Sequence, residues 1–361
     1  MAVRGTKPAF SVREDLKELQ RPIAPAGNSL LTATTPQDAF GLIGAGRRNM
    51  IINGKFQVSQ RGTYTSSTNT TSNAYYLDRW YWNGDTSGTS IQHKLNQTVN
   101  GYTVNTFYCT SNSASYIVSP GQQIESNVWG HLKGKEVTLS AWVKTNNPKV
   151  GFRIYTGGQN YGPRHSGSGH WEYLTWTFRI PTDAISLYPL IDSYINSEWN
   201  ATSNTYVEFT MVQLEEGTIA TPFEHRSYAE ELRLCQRYFY RIYGGRYEWK
   251  NADFTNYKNG SLGSGVHPVA MRTAPTMSHN LTGSSANTNP GSTAGAWSWY
   301  KWAVGYGGST NMLSATISNW AFDANETNWT GGIYYFAPSD YNEVTHIMLS
   351  TGSYIQASAE I

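Results

Sequence analysis

In EVTLSAWVKT (136–145), Val137, Leu139, Ala141 and Val143 fall on one side of an extended chain and the polar residues fall on the other. The same beat returns in EYLTWTFRIP (172–181) with Leu174, Trp176, Phe178 and Ile180, and in YVEFTM (206–211) with Val207, Phe209 and Met211. Successive side chains of a strand point to opposite faces, so strict alternation marks strands with one buried and one wetter face. Between these stretches lie turn-rich segments, NNP, GGQNYGP and NSEWNATSNT. Together they predict an all-β, antiparallel sandwich and argue against a parallel α/β sheet.

Composition agrees. A chain of 361 residues is long enough for two domains and an appendage. Charged residues are only 14 %, matched by 14 % aromatics, with 34 Gly between them, which suits β domains with a neutral polar exterior. A net charge of +2 without clustered Lys and Arg offers no footprint for nucleic acid, whose phosphates are bound through such clusters. No apolar run approaches the ~20 residues needed to span a bilayer, so no membrane insertion is expected. MAVRGTKPAF lacks the apolar core of a signal peptide, and synthesis in a cytoplasm without Sec-type export is the expectation. Cys109 and Cys235 make neither a disulfide framework nor a zinc site by themselves and read as two buried free thiols, with a single disulfide as the alternative.

Three segments follow from the patterning. Residues 1–46 carry the charge-rich SVREDLKELQ, where Ser11 and Glu14 form a capping box and Val12, Leu16 and Leu19 share a helix face. About ten residues cannot hold a helix alone in water, so this segment needs a docking partner, either its own domain or a larger assembly that it anchors to. Residues 47–236 form the first sandwich, closed by SYAEELRLCQRYFYRIY. There Ser227 and Glu230 make a second capping box, and Tyr228, Leu232, Cys235 and Phe239 a helical stripe. Residues 237–361 return to short aromatic strands, as in AWSWYKWAVGYGG and NWTGGIYYFAP, and read as a second β-sandwich joined to the first by the short helix.

Candidate chemistry is sparse. In MVQLEEGTIATPFEHR (211–226) the adjacent Glu215 and Glu216 point to opposite faces and cannot converge on one atom, so a solvated turn beside Gly217 is expected, with Leu214 and Phe223 closing the core. Glu224 and Arg226 suit pairing or capping better than catalysis. His165 and His170 in YGPRHSGSGHW have no third ligand in matching register, so no metal site is assigned, and no cofactor motif is found. A polysaccharide-degrading enzyme would have to draw on Asp78, Asp85, Glu172 and Glu208 from separate strands; no catalytic residue is assigned.

Aromatics remain. Sugar rings stack C–H faces on Trp and Tyr while nearby polar side chains bond the hydroxyls. YYLDRWYWNGD (75–85) supplies Trp80 and Trp82, and WSWYKW (297–302) supplies Trp297, Trp299 and Tyr300, as candidate glycan contacts. Each Trp pair shares one strand face, so these aromatics are either core or contact surface.

NMIINGKFQVSQRG (49–62) and VQLEEGTIATPFEHRSYAEELRLCQRYF (212–239) resemble the opening and closing segments of a domain of bacteriophage tail-fibre and related virion proteins. The same Asn-Gly-x-Phe start and Gln-Leu-Glu-x-Gly…Thr-Pro-Phe-Glu end resembles the galactose-binding-like jelly roll of carbohydrate-binding modules. VHPVAMRTAPT (266–276) and SYIQASAEI (353–361) are similar to the terminal domain of such phage proteins. The resemblance implies a non-enzymatic, homotrimeric short tail fibre or adhesin. Its N-terminus, with Val12, Leu16 and Leu19, would attach to a tail adaptor, nozzle or baseplate, and its β domains would face host surface polysaccharide. A capsid decoration or baseplate protein without a receptor role is the alternative.

Overall fold

The computed structural model describes residues 48–71, 74–84, 88–112, 118–195, 198–199, 204–249, 258–279, 297–301, 316–336 and 345–360; for 194–199, 243–249, 258–265, 279, 297–301, 316–323, 329–336 and 345–353 the description is of backbone alone. Val12, Leu16 and Leu19 therefore lie outside the described residues, as does Asp85.

In chain order the first unit contains Thr68–Asn69 (β1), Ala74–Tyr75 (β2), Tyr81–Trp82 (β3), Thr89–Val99 (β4), Tyr102–Ser111 (β5), Pro120–Gly121 (β6), Glu136–Thr145 (β7), Gly151–Tyr155 (β8), Gln159–Arg164 (β9), Trp171–Arg179 (β10), Tyr188–Asp192 (β11), the short pair Tyr194–Ile195 (β12) and Glu198–Trp199 (β13), and Thr205–Glu216 (β14). One six-stranded antiparallel sheet runs β1-β4-β5-β14-β7-β10 and the other β2-β3-β6-β11-β8-β9. This is a jelly-roll-type β-sandwich. The three alternating stretches are β7, β10 and β14, side by side, and Val137, Leu139, Ala141, Val143, Leu174, Val207 and Phe209 all enter one core with Phe152, Ile154 and Ile191 of the opposite sheet.

Trp80 and Trp82 belong to that core. They are 1 % and 0 % exposed; Trp80 packs 5.1 Å from Phe56 and 5.4 Å from Phe209, and its indole N–H donates to the Asn53 carbonyl at 3.1 Å. Neither ring has a face open to a sugar, which corrects the expectation of glycan contact: burying these large apolar surfaces stabilises the sandwich. Both cysteines are free and buried.

Among the described residues, a single helical turn at Ser126–Trp129 (α1) is followed by the helix Tyr228–Gln236 (α2), which begins where the capping box places it, with the Ser227 side chain accepting from the Glu230 N–H at 3.2 Å. Its buried face differs from the expected stripe. Tyr228 is 55 % exposed, and Glu231 with Cys235 faces inward, because the Glu231 carboxylate accepts the Asn53 N–H and pairs with Arg226.

Beyond α2 lie Phe239–Trp249 (β15), Lys258–Val266 (β16), Thr276–His279 (β17), Trp297–Lys301 (β18), Thr316–Ala324 (β19), Asn328–Phe336 (β20) and Thr345–Ser358 (β21). All pairings are antiparallel: β15, β17 and β18 on β21, and β16 and β19 on β20. The chain end is tied back to the first unit. Glu360 receives Arg61 at 2.7 Å and also Arg79, whose guanidinium lies 3.6 Å over the Tyr238 ring, while Arg272 donates to the Ala359 and Glu360 carbonyls.

Two outcomes are expected. Glu360→Gln leaves the Arg79 guanidinium, 1 % exposed, without its carboxylate and should lower unfolding free energy by ~3–5 kcal/mol, against under about 1 kcal/mol for Lys135→Gln, which breaks an exposed pair with Glu216. Denaturant midpoints would compare them. The second concerns His93, buried and bonded through Nε2 to the Phe56 carbonyl at 2.8 Å; burial lowers its pKa, opposed by that hydrogen bond. Its stabilising contribution is complete above the unfolded value of ~6.5 and is lost as pH falls through the depressed folded value. Melting temperature should therefore drop with acidification over that window, and His93→Gln, which keeps a donor, should flatten the slope.

Candidate functional site

The site starts from an irregularity in β14. Alternation places Met211 inward with Val207 and Phe209, yet the pairing with β7 jumps from Thr210↔Trp142 to Gln213↔Ser140, so Met211 and Val212 together oppose one residue. This is a β-bulge, and Met211 takes φ +51°. The bulge reverses the phase. Val212 and Leu214 turn into the core, and Met211 emerges on the outer face against Val99 and Val104.

Segment 49–54 supplies the hydrogen bonds that the bulge needs. Val212 N–H donates to the Gly54 carbonyl at 2.9 Å and Met50 N–H to the Leu214 carbonyl at 2.8 Å; Asn49 Nδ2 donates to the Val212 carbonyl at 3.0 Å, and Asn49 Oδ1 accepts the Leu214 N–H at 3.0 Å. A Cβ at Gly54 would lie 2.3 Å from the Val212 oxygen, so only glycine lets the two segments approach this closely. Glu224 accepts the Asn49 N–H at 2.7 Å, and Arg226 donates to the Ile51 carbonyl at 3.0 Å and to the Asn49 carbonyl. Glu224 and Arg226 thus serve pairing, as expected from sequence.

Glu215 departs from expectation. It is 2 % exposed, accepting from Thr221 N–H at 2.9 Å, Thr221 Oγ1 at 2.6 Å and Gln213 Nε2 at 2.9 Å, because the phase reversal carries it beneath the 217–223 loop. Glu216 points the other way, to Lys135 at 3.1 Å. Glu215 thereby fixes the loop that becomes a wall, while Phe223, half-buried, joins the outer cluster around Met211 instead of the main core.

The result is an open cleft of about 390 Å³ on the outer face of the six-stranded sheet, lined by Asn100, Tyr102, Trp142, Tyr173, Met211, Ala220, Thr221, Pro222, Phe223 and His225. Trp142 and Tyr173, register partners on β7 and β10, have ring centroids 5.3 Å apart. Tyr102 lies 5.3 Å from His225, which meets Phe223 edge-on at 5.1 Å. Tyr102 and Tyr173 are 50 % and 42 % exposed, so their rings are presented to solvent. Burial, with Lys55 nearby, lowers the His225 pKa and favours a neutral ring; burial raises that of Tyr173.

Of the sequence candidates, the cleft gathers none. Trp80 and Trp82 are core, and Trp297, Trp299 and Tyr300 sit on β18, where the backbone alone is described, opposite Leu349, Ile347 and His346. A signal for part of the lining existed: Trp142 and Tyr173 occupy the phase opposite to the core residues of β7 and β10. Other candidates have structural partners. Asp78 is buried, which raises its pKa, and accepts from Gln60 at 2.6 and 2.7 Å; Glu208 pairs with Lys94 at 3.2 Å and Thr106 at 2.7 Å; Glu172 accepts from Ser166 and Ser168. His165 Nδ1 accepts the Gly167 N–H at 2.8 Å, so Nε2 carries the proton and donates to the His170 carbonyl at 3.0 Å. Among the described residues no cluster of three or more His, Cys, Asp or Glu is placed to hold a metal ion.

Neither a protein-family model nor a curated protein matches the chain. Solved structures do. A Bacteroides thetaiotaomicron VPI-5482 protein described as sugar-binding is similar at 15 % identity over 47 % of this chain and 100 % of that one, with a TM-score of 0.31. The CBM22-1–GH10 modules of Clostridium thermocellum xylanase 10B, complexed with xylohexaose, match at 14 % over 50 % of this chain and 30 % of theirs, with a TM-score of 0.31. The tandem CBM22-1–CBM22-2 domains of Paenibacillus barcinonensis Xyn10C match at 10 % over 83 % and 99 %, with a TM-score of 0.27. At TM-scores from 0.27 to 0.31 these likenesses carry no argument about ligand, and the sandwich assignment rests on the strand order and register above.

Gly54→Ala should collapse this arrangement, costing ~1–3 kcal/mol by overpacking, whereas Gly101→Ala, at φ +81° with nothing within 4 Å of the added Cβ, should cost about 1 kcal/mol from backbone conformation alone. Thermal unfolding of both variants checks the difference.

Proposed function

We propose that the protein is a glycan-binding adhesin and that the cleft between Trp142, Tyr173, Tyr102 and Phe223 holds sugar rings of a surface polysaccharide. The observation that carries this reading is the presentation of half-exposed aromatic faces on the outer side of the sheet, with Asn100 beside them for hydroxyls. A neutral His225 ring extends the stacking surface. Binding without hydrolysis is the proposed outcome: the residues lining the cleft include no carboxylate, and glycoside hydrolysis draws on two.

The proposed setting is a bacteriophage particle, as a short tail fibre held through residues 1–46 and assembled as a homotrimer. Its support is the resemblance of residues 49–62 and 212–239 to virion-protein segments. Three clefts on one trimer would multiply weak contacts through avidity.

Titration of the purified chain with isolated host-surface polysaccharides, with reducing ends assayed in parallel, tests the reading. Saturable binding without sugar release is expected, reduced at least about tenfold, ~1.4 kcal/mol, by Trp142→Ala or Tyr173→Ala in a chain that still folds. Release of oligosaccharides would make it a hydrolase, and binding unchanged in both variants would remove the cleft from the argument.

A further inference from the structure

Beside the cleft, one register row crosses five strands of the outer face: Gln92 pairs with Tyr108, Tyr108 with Glu208, Glu208 with Lys144, and Lys144 with Trp171. Neighbouring strands lie ~4.8 Å apart, so the row spans roughly 19 Å. Lys144 is two residues from Trp142 on β7, hence on the same face and about 7 Å along the strand. Trp171 packs with Trp142 against the Val99, Val104 and Met211 cluster, which joins the row to the cleft.

Charge along this row is uneven. Glu208 is 4 % exposed and already committed, to Lys94 at 3.2 Å and to the Thr106 hydroxyl at 2.7 Å. Lys94 in turn lies 3.4 Å over the Tyr108 ring. Lys144, half-buried, makes no hydrogen bond or ion pair with any described residue; its ammonium lies 6.0 Å from the Trp171 ring centroid. Glu215, the carboxylate behind the cleft, is turned under the loop and bonded to Thr221. Lys144 therefore stands one row from the stacking platform, flanked by an indole, with no ion pair to any described residue, while the carboxylate opposite it, Glu208, is held by Lys94 and Thr106.

We infer that the ligand is an acidic polysaccharide, with a ring carboxylate paired to Lys144 while its sugar rings stack on Trp142, Tyr173 and Trp171. This rests on the glycan-binding reading of the cleft and adds its specificity. Lys144 is thus a specificity-determining residue: it selects charge, and the aromatics supply the sugar-general contact. A partly desolvated ammonium beside an indole gains more from a carboxylate than an open-surface lysine does.

Calorimetric titration of the full chain against a panel of neutral polysaccharides and uronic-acid polymers, including polygalacturonate and its fully methyl-esterified form, at low and high salt, tests it. Expected is preferential binding of a uronate polymer that weakens with salt, about a tenfold loss for it in Lys144→Gln with any neutral binding unchanged, and loss of both in Trp142→Ala. Binding only of neutral polymers, or acidic binding untouched by Lys144→Gln while Trp142→Ala abolishes it, would overturn the acidic-ligand inference and leave the cleft standing. Binding to no polymer, or binding indifferent to Trp142→Ala, would overturn both.

Discussion

At Met211 the last strand of the sandwich changes face, and much of the first unit is organised around satisfying that change. A bulge frees backbone groups that cannot stay unpaired inside a protein. Here Asn49 and Gly54 meet them from a segment more than 150 residues earlier, closing the sandwich where β5 no longer pairs with β14. Arg226, Glu224 and Glu231 then hold that segment from the far side. The 49–54 segment and the stretch from Met211 to Glu231 together form a latch.

The bulge also makes the surface feature. By sending Met211 outward and Glu215 beneath the 217–223 loop, it supplies both the floor and one wall of the cleft on the outer sheet face. Aromatics divide accordingly. Those of the core, Phe56, Trp80, Phe107 and Phe209, pack with centroids 5.1–5.6 Å apart and determine stability; Tyr102, Trp142 and Tyr173 remain available to a ligand. Phe56 itself sits at φ +55°, a strained backbone for a bulky residue, held there by three aromatic neighbours and the turn bond from its N–H to the Asn53 carbonyl.

Much of this organisation was legible. Alternation in β7, β10 and β14 identified strands and their core phase, and the capping box at Ser227 placed α2 correctly. The site was less so. Trp80 and Trp82 were conspicuous as a tight aromatic pair, yet such pairs in a strand are equally well explained by a core, and it was the inconspicuous Trp142, between Ala141 and Val143, that faced outward. Tyr228 misled for a related reason: helical spacing predicted a stripe, but the Glu231 carboxylate was drawn inward by two donors from elsewhere.

What the sequence by itself determined is the part that depends on local periodicity: an all-β, antiparallel architecture, the inward phase of each regular strand, and a neutral exterior rich in rings. Only the tertiary structure decided which outward positions lie side by side, because a register row such as Tyr108, Glu208, Lys144 and Trp171 draws on strands from across the chain. It alone also revealed the phase reversal at Met211. A bulge has no fixed residue signature here; it exists because Asn49 and Gly54, distant in sequence, provide the hydrogen bonds and the space that make one extra residue affordable at that point in the strand.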